Sequence, residues 1–247
     1  MTVFATADHR PWALPAGPWV MAQTWHDLLF AHWPVPLENL RPHVPATLEM
    51  DSFDGTAWLG VIPFRMSDVR IRGLPALPGV GAFPELNVRT YVRCGGKPGV
   101  WFFSLDAGSR IAAEAARRWY RLPYFHAQMR CQQSGGWFQY HSQRDGQTAE
   151  FRGSYRPVGK AFRSRPGTLD YFLTERYCLY AEDSARRLYR GEIHHAPWPL
   201  QPAEATTEIN TMTLPLGFPT PQAVPTLHFA SRQDVRIWPM QRIQGHA

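Results

Sequence analysis

Prolines and glycines interrupt this chain so often that no long helix fits between them: there are 23 and 19 of them in 247 residues. Proline removes a backbone donor and glycine frees φ, so the chain is cut into short segments joined by turns. Between the breaks, apolar and polar residues alternate. That period of two predicts strands over 21–30, 56–65, 83–93, 100–106, 127–133, 137–144, 149–156, 176–180, 188–194, 203–210, 226–230 and 234–238. Gly135-Gly136 and Asp145-Gly146 each sit between two such runs, which makes 127–156 a three-stranded meander. One longer helix is expected over 109–120, with Ser109 as its cap, Ala112, Ala113, Ala115 and Ala116 in its body, and Pro123 beyond its end. Shorter helices are expected over 37–43 and 168–173. Strands and helices do not alternate regularly, which favours a barrel or sandwich over a doubly wound sheet. The fold class is mostly β: a large, mostly antiparallel barrel or sandwich with one or two packed helices. No internal repeat or linker divides the chain, and residues 1–247 read as a single domain.

Composition narrows the function. The formal net charge is +6, carried by twenty-four arginines and only two lysines, Lys97 and Lys160. The arginines are scattered, and the densest clusters are pairs such as Arg117-Arg118 and Arg186-Arg187. Neither a stripe nor a block of like charge suggests nucleic acid as a partner. Cys94, Cys131 and Cys178 are odd in number and widely spaced, which excludes a disulfide framework and a Cys-based zinc site. No apolar run is long enough to span a bilayer, and the start lacks the basic and apolar regions of a secretory leader. A reducing, cytoplasmic setting without a membrane partner is expected, and a homo-oligomer is left open.

The run over 83–93 carries the chemistry. Glu85, Asn87, Arg89 and Tyr91 share one face, and Leu86, Val88, Thr90 and Val92 the other. A carboxylate, an amide and a guanidinium at a spacing of about 7 Å can contact one small ligand. By alternation alone, the same face could equally be the solvated side of an edge strand. Tyr124 and His126 lie two apart after the predicted helix, so an extended segment puts a phenol and an imidazole on one wall. His194-His195 invites a metal reading, but neighbouring strand residues point to opposite faces and no H-x-H or H-E-x-x-H accompanies them, so no metal is expected. The neighbouring charges of Glu175 and Arg176 read as a buried structural ion pair. The glycines, Gly79 and Gly81 included, form no phosphate loop, and Ser104 lacks the setting of a hydrolase nucleophile.

Several segments together resemble a known family. They are Trp33-Pro34, Glu85-Leu86-Asn87, Trp101-Phe102-Phe103-Ser104-Leu105, Leu122-Pro123-Tyr124, Leu173-Thr174-Glu175-Arg176-Tyr177, Tyr189-Arg190-Gly191-Glu192-Ile193-His194-His195 and Leu227-His228-Phe229. Over roughly 19–238 the chain resembles the YqjF-like family, a bacterial family without an assigned function. That family resembles a distant branch of the acetoacetate-decarboxylase-like superfamily. The resemblance implies an antiparallel β barrel around a small-molecule pocket, with Glu85 at or near the position of the superfamily's strand glutamate. It also implies a missing reaction. True decarboxylases carry a lysine pair after the proline that ends the helix, and one lysine forms a Schiff base; the handling of that lysine's pKa by a neighbouring cation is a known case. Here the matching segment is Leu122-Pro123-Tyr124-Phe125, and the arginine of the superfamily's N-terminal motif is absent from Trp33-Pro34-Val35-Pro36. Lys97 and Lys160 both lie in turn-like contexts and are not expected to replace the lysine.

The expected function is therefore binding of a small molecule, without a cofactor. Acid–base chemistry on a carbonyl or organic-acid compound is expected to run through Glu85, Tyr124 and His126. Asn87 and Arg89 would position the polar group, and Phe103 and Trp33 would wall the apolar end. The alternative is a binding or sensing protein without catalysis. Whether the chain is an enzyme is left undecided, but Schiff-base decarboxylation is excluded.

Overall fold

A computed structural model describes residues 7–75 and 82–243. The segment that starts the chain, 1–6, and Gly79 and Gly81 lie outside the described residues. In chain order the elements are β1 (Met21–Val35), α1 (Leu37–Leu40), β2 (Glu49–Met50), β3 (Ala57–Ile71), β4 (Ala82–Cys94), β5 (Lys97–Ala107), α2 (Arg110–Tyr120), β6 (Tyr124–Ser134), β7 (Trp137–Arg144), β8 (Glu150–Pro157), α3 (Leu169–Thr174), β9 (Cys178–Glu182), β10 (Leu188–His194), β11 (Gln201–Asn210), β12 (Thr226–Ile237) and β13 (Gln241–Arg242). The meander β6–β7–β8 turns at Gly135-Gly136 and Asp145-Gly146, with Gly135, Gly136 and Gly146 all at positive φ. Runs 226–230 and 234–238, read as two strands, are one continuous β12 that pairs with β1 from Met21↔Ile237 to His32↔Thr226.

The strands form one mostly antiparallel sheet that closes on itself twice. Pairing β4 to β5 completes a ring through β6, β7, β8, β11, β12, β1 and β3. A second ring leaves β5 through β9 and β10 and returns to β12. Strands β12, β1, β3, β4 and β5 belong to both rings. Closure removes the exposed edges that a sheet of this size would otherwise present. The two parallel pairings, β5–β6 and β5–β9, are where the chain crosses over, and α2 is the β5–β6 crossover.

The shared strands are buried on both faces, which explains their near-continuous apolar runs (Leu28-Leu29-Phe30-Ala31 and Trp58-Leu59-Gly60-Val61-Ile62). Their odd- and even-numbered residues serve different rings. Leu29, Ala31, Trp33, Leu59, Val61, Leu86 and Val88 pack with Phe138, Tyr140, Phe151, Tyr155 and Phe229 to fill the first ring solidly. Leu28, Phe30, Ile62, Phe64 and Met66 face the second ring. Each such side chain removed from water contributes about 1.5–3 kcal/mol. Gly99 marks the tightest backbone approach in the second ring: a Cβ there would lie 2.7 Å from Cys178 Sγ and 2.8 Å from its carbonyl oxygen.

Helix α2 is capped by Ser109, whose Oγ accepts from the Ala112 N–H at 3.3 Å, and ends at Arg121 in the left-handed region with φ 55°. Helix α3 is capped in the same way by Thr168. No helix among the described residues is long and apolar enough to cross a membrane.

Candidate functional site

The second ring is not filled. It encloses a cavity of about 340 Å³ whose walls are overwhelmingly apolar; its polar residues include Gln23, Arg70, Glu85, Asn87, Arg89, Tyr124, Thr174, Arg176 and His195. Strand β4 supplies Glu85, Asn87 and Arg89 from one face, as alternation predicts. Aromatic residues from β1, β3 and β5 and the loop before β11 supply the sides: Trp25, Phe30, Phe64, Phe102 and Trp198. Trp25 and Trp198 stack at 6.1 Å, and Phe30 meets Trp198 edge-on at 4.9 Å. Helix α2 forms the cover, and the small side chains of Ala112, Ala115 and Ala116 leave room beneath it. Ile111, Ala115 and Trp119, four residues apart along α2, line both the cavity and a groove on the helix's outer surface. Ile111 is 71% and Trp119 58% exposed, which makes this stripe the rim between cavity and solvent.

Glu85 is 2% exposed, and among the described residues the only side chain that bonds its carboxyl is Tyr124, whose hydroxyl lies 3.3 and 3.2 Å from the two oxygens. Burial pushes this carboxyl up to about 8, against the hydrogen bond from Tyr124 and with help from the charge of Asp106. Glu85 therefore carries a proton at neutral pH. Tyr124 is held well above the ordinary phenol range, first by burial and then by Glu85. Asp106 takes no part in the cavity. It is buried against Arg144, with Nε at 2.8 Å. The Glu85 main chain is fixed as well, because its carbonyl accepts from the Tyr140 hydroxyl at 2.7 Å.

The other polar end is cationic. Arg89 donates to the Leu173 carbonyl at 3.2 Å, lies over the Phe30 and Tyr91 rings, and has no hydrogen-bond partner at Nε among the described residues. Arg176 pairs with Asp51 at 2.6 Å, and Asp51 is shared with Arg93 at 2.9 Å. Glu175, expected to pair with its neighbour, instead accepts from the Tyr177 hydroxyl and the Trp198 N–H. The two adjacent charges are thus buried with separate partners, because a peptide in near-extended form sends neighbouring side chains apart. Beneath Arg89, the Tyr91 hydroxyl sits 2.6 Å from both His32 Nε2 and the Leu173 carbonyl oxygen. His195 is neutral, lowered to about 4 by burial.

Three expected residues lie elsewhere. Trp33 has the odd parity of Leu29 and packs in the filled ring. Phe103 also faces away from the cavity, packing against the filled core and lining an outer cleft with His43 and Trp101, while its neighbour Phe102 faces the cavity. His126 has the parity of Tyr124, but it is the last β6 residue paired with β5, opposite Ala107, and its Nδ1 meets Asp145 of the β7–β8 turn at 2.7 Å. The lysines are distant from the chemistry. Lys97 Nζ contacts Glu192 at 2.8 Å rather than standing free in solvent, Lys160 is exposed, and neither lines the cavity. Arg176, His195 and Trp198 reach the cavity from irregular segments beside β9 and β10: the strand expected over 176–180 begins only at Cys178, and the His194-His195 pair is legible as a metal question rather than as a cavity wall.

Comparison with known proteins agrees with this architecture. Among solved structures, acetoacetate decarboxylase from Legionella pneumophila superposes with a TM-score of 0.67 at 12% identity, over 99% of this chain and 94% of its own. The enduracididine biosynthesis enzyme MppR complexed with pyruvate superposes with a TM-score of 0.65 at 11% identity, over 94% and 93%. At these identities the likeness shows the fold, an acetoacetate-decarboxylase-like barrel, and leaves the chemistry to the residues. In sequence, uncharacterized protein YqjF of Bacillus subtilis (strain 168) is 47% identical over 231 residues, 93% of this chain and 95% of the relative. The family model DUF2071, described as an uncharacterized conserved protein, matches residues 22–234. On both counts the chain belongs to the DUF2071 family.

Proposed function

We propose that this protein binds a small, partly apolar carbonyl or organic-acid compound in the cavity under α2 and acts on it by acid–base chemistry without a Schiff base. The observation that carries this reading is Glu85. It is a carboxylic acid kept protonated at neutral pH by a dry, apolar site, and a buried acid of that kind can donate a proton where charge develops on a substrate oxygen. Tyr124 donates to Glu85, which leaves the acid's own O–H free for the ligand. Asn87 Oδ1 has no partner among the described residues and can accept from a substrate hydroxyl or amide, and Arg89 receives the anionic group. The pyruvate held by MppR supports a barrel of this kind as a container for small oxygenated acids.

A second reading, binding without turnover, is favoured by one observation. Tyr124 stands where the superfamily resemblance calls for a lysine, and no lysine lines the cavity. One experiment separates the two. A screen of carbonyl and organic-acid compounds should raise the melting temperature, with about 2.7 kcal/mol of stabilisation at a hundredfold excess over Kd. For a compound that binds, Glu85→Gln should abolish turnover in an enzyme and leave binding measurable in a receptor. A screen in which no compound shifts the transition would count against both readings.

A further inference from the structure

The polar groups of the cavity stand at opposite ends, and their separation restricts what can touch both. Glu85 and Arg89 lie four residues apart on one face of β4, so their Cα atoms are about 13 Å apart along an extended strand. With both side chains standing roughly perpendicular to the sheet, the head groups keep about that separation, and one hydrogen bond of about 3 Å at each leaves the ligand's two oxygen functions about 7 Å apart. In a 2-oxo acid the two functions are joined by one C–C bond of about 1.5 Å, and a 3-oxo acid adds only one more. Such short acids reach one end of the cavity or the other, never both.

The charge at the Arg89 end is unbalanced. Asp51 is engaged by Arg93 and Arg176, which leaves it committed to those two arginines. Among the described residues no carboxylate pairs with Arg89, and Glu85 is neutral. A guanidinium held in an apolar cavity without a counter-ion favours an anion strongly. Between the two ends, on the same face of β4, stands Asn87, and the cavity walls include the rings of Trp25, Phe30, Phe64 and Trp198. The indole N–H of Trp198 has no partner among the described residues, which adds one more donor. The volume of about 340 Å³ equals roughly eleven waters at about 30 Å³ each, room for about a dozen non-hydrogen atoms.

We infer that the ligand is an elongated, flat monocarboxylate, aromatic or conjugated, with its carboxylate on Arg89 and a carbonyl or hydroxyl oxygen at Glu85 and Tyr124. This inference rests on the cavity being the ligand site, as proposed above, and adds the class of ligand. It separates this protein's ligand from the short oxo acid seen in its structural neighbour.

The test is a matched set of probes measured by thermal shift and tryptophan fluorescence: pyruvate, acetoacetate, 4-acetylbenzoate, and the neutral 4-acetylbenzamide. The expected order is 4-acetylbenzoate at least tenfold tighter than pyruvate, acetoacetate or the amide. Arg89→Met should remove the preference for acid over amide while the amide still binds, and Arg89→Lys should restore part of it. Pyruvate or acetoacetate binding as tightly as 4-acetylbenzoate would overturn the length requirement. Equal binding of acid and amide, with both weakened by Glu85→Gln, would overturn the anion anchor and leave the cavity reading intact. If the wild type, folded by circular dichroism, binds none of the four, this inference and the cavity reading fall together.

Discussion

Glu85→Gln gives the sharpest test of the cavity's character, and it needs no ligand. In the unfolded chain a glutamate gives up its proton near 4.5, while in the folded protein burial holds that proton until about 8. Between those values the folded state binds more protons than the unfolded state, so stability falls as pH rises. The contribution is fully present below pH 4.5, is lost through the window from 4.5 to 8, and is flat above it. At about 1.4 kcal/mol per pH unit, the loss across the window is roughly 5 kcal/mol. Glutamine keeps the shape and the acceptor for Tyr124 but cannot titrate. The stability of Glu85→Gln minus that of the wild type should therefore climb by roughly 5 kcal/mol from pH 4.5 to pH 8.5. For a chain of this length that is about 10–20 °C in Tm. The depressed histidines, His195 and His32 among them, act in the opposite sense below pH 6.5. They are common to both proteins and cancel in the difference. Urea unfolding at half-unit pH steps measures it. A difference flat to within 1 kcal/mol would mean that Glu85 ionises in the folded protein, and the dry acid at the centre of the proposed chemistry would be lost.

Three further outcomes follow from other parts of the molecule. Gly99→Ala should destabilise by about 1–3 kcal/mol, because its Cβ meets Cys178 Sγ and backbone oxygen at the β5–β9 pairing; chemical denaturation reads this, and an unchanged midpoint would refute the close approach. Asp106→Asn should cost about 3–5 kcal/mol by leaving buried Arg144 without its partner, a larger loss than for Asp145→Asn, whose pair with His126 is partly exposed; thermal melts of the two variants make the comparison. Borohydride reduction in the presence of acetoacetate should leave the intact mass unchanged, since Lys97 is engaged by Glu192 and Lys160 is exposed outside the cavity; a covalent adduct would overturn the exclusion of imine chemistry.

Much of the barrel is visible in the sequence because strand alternation and turn glycines are local signals. The meander at 127–156 needs only Gly135-Gly136 and Asp145-Gly146, and the cap Ser109 announces its helix. The face of β4 that carries Glu85, Asn87 and Arg89 is legible for the same reason. What alternation cannot give is which of two interiors a face serves. Trp33 and Phe30 lie on opposite faces of β1, and both are buried, so burial alone does not tell the filled ring from the hollow one. Phe103 and Phe102 repeat the ambiguity on β5, where the register against β4 shifts between Val88 and Arg89. His126 keeps the parity of Tyr124 but lies beyond the cavity's end, a distance set by where β6 leaves β5. His195 and Trp198 arrive through non-local contacts from segments without periodicity, and Arg176, expected to open a strand, lies just before β9, which begins at Cys178. The double closure of the sheet decides all these placements, and it is a property of strand pairing across the whole chain.

The tyrosine at position 124 bears on more than the missing imine. A carboxyl in an apolar cavity chooses its protonation state by its nearest polar neighbour. A lysine at position 124 would place an ammonium beside Glu85, and the pair would ionise together, with the carboxylate held low by the opposite charge. Tyrosine offers only a neutral hydroxyl, itself held above its ordinary range by the same burial, and so leaves desolvation as the dominant influence on Glu85. A lysine at this position would thus change two groups at once: it would add a nucleophile and turn the facing acid into a carboxylate. With Glu85 protonated, Arg89 is left as a cavity cation with no carboxylate partner among the described residues, and under the proposed function the anion it favours is the ligand's own.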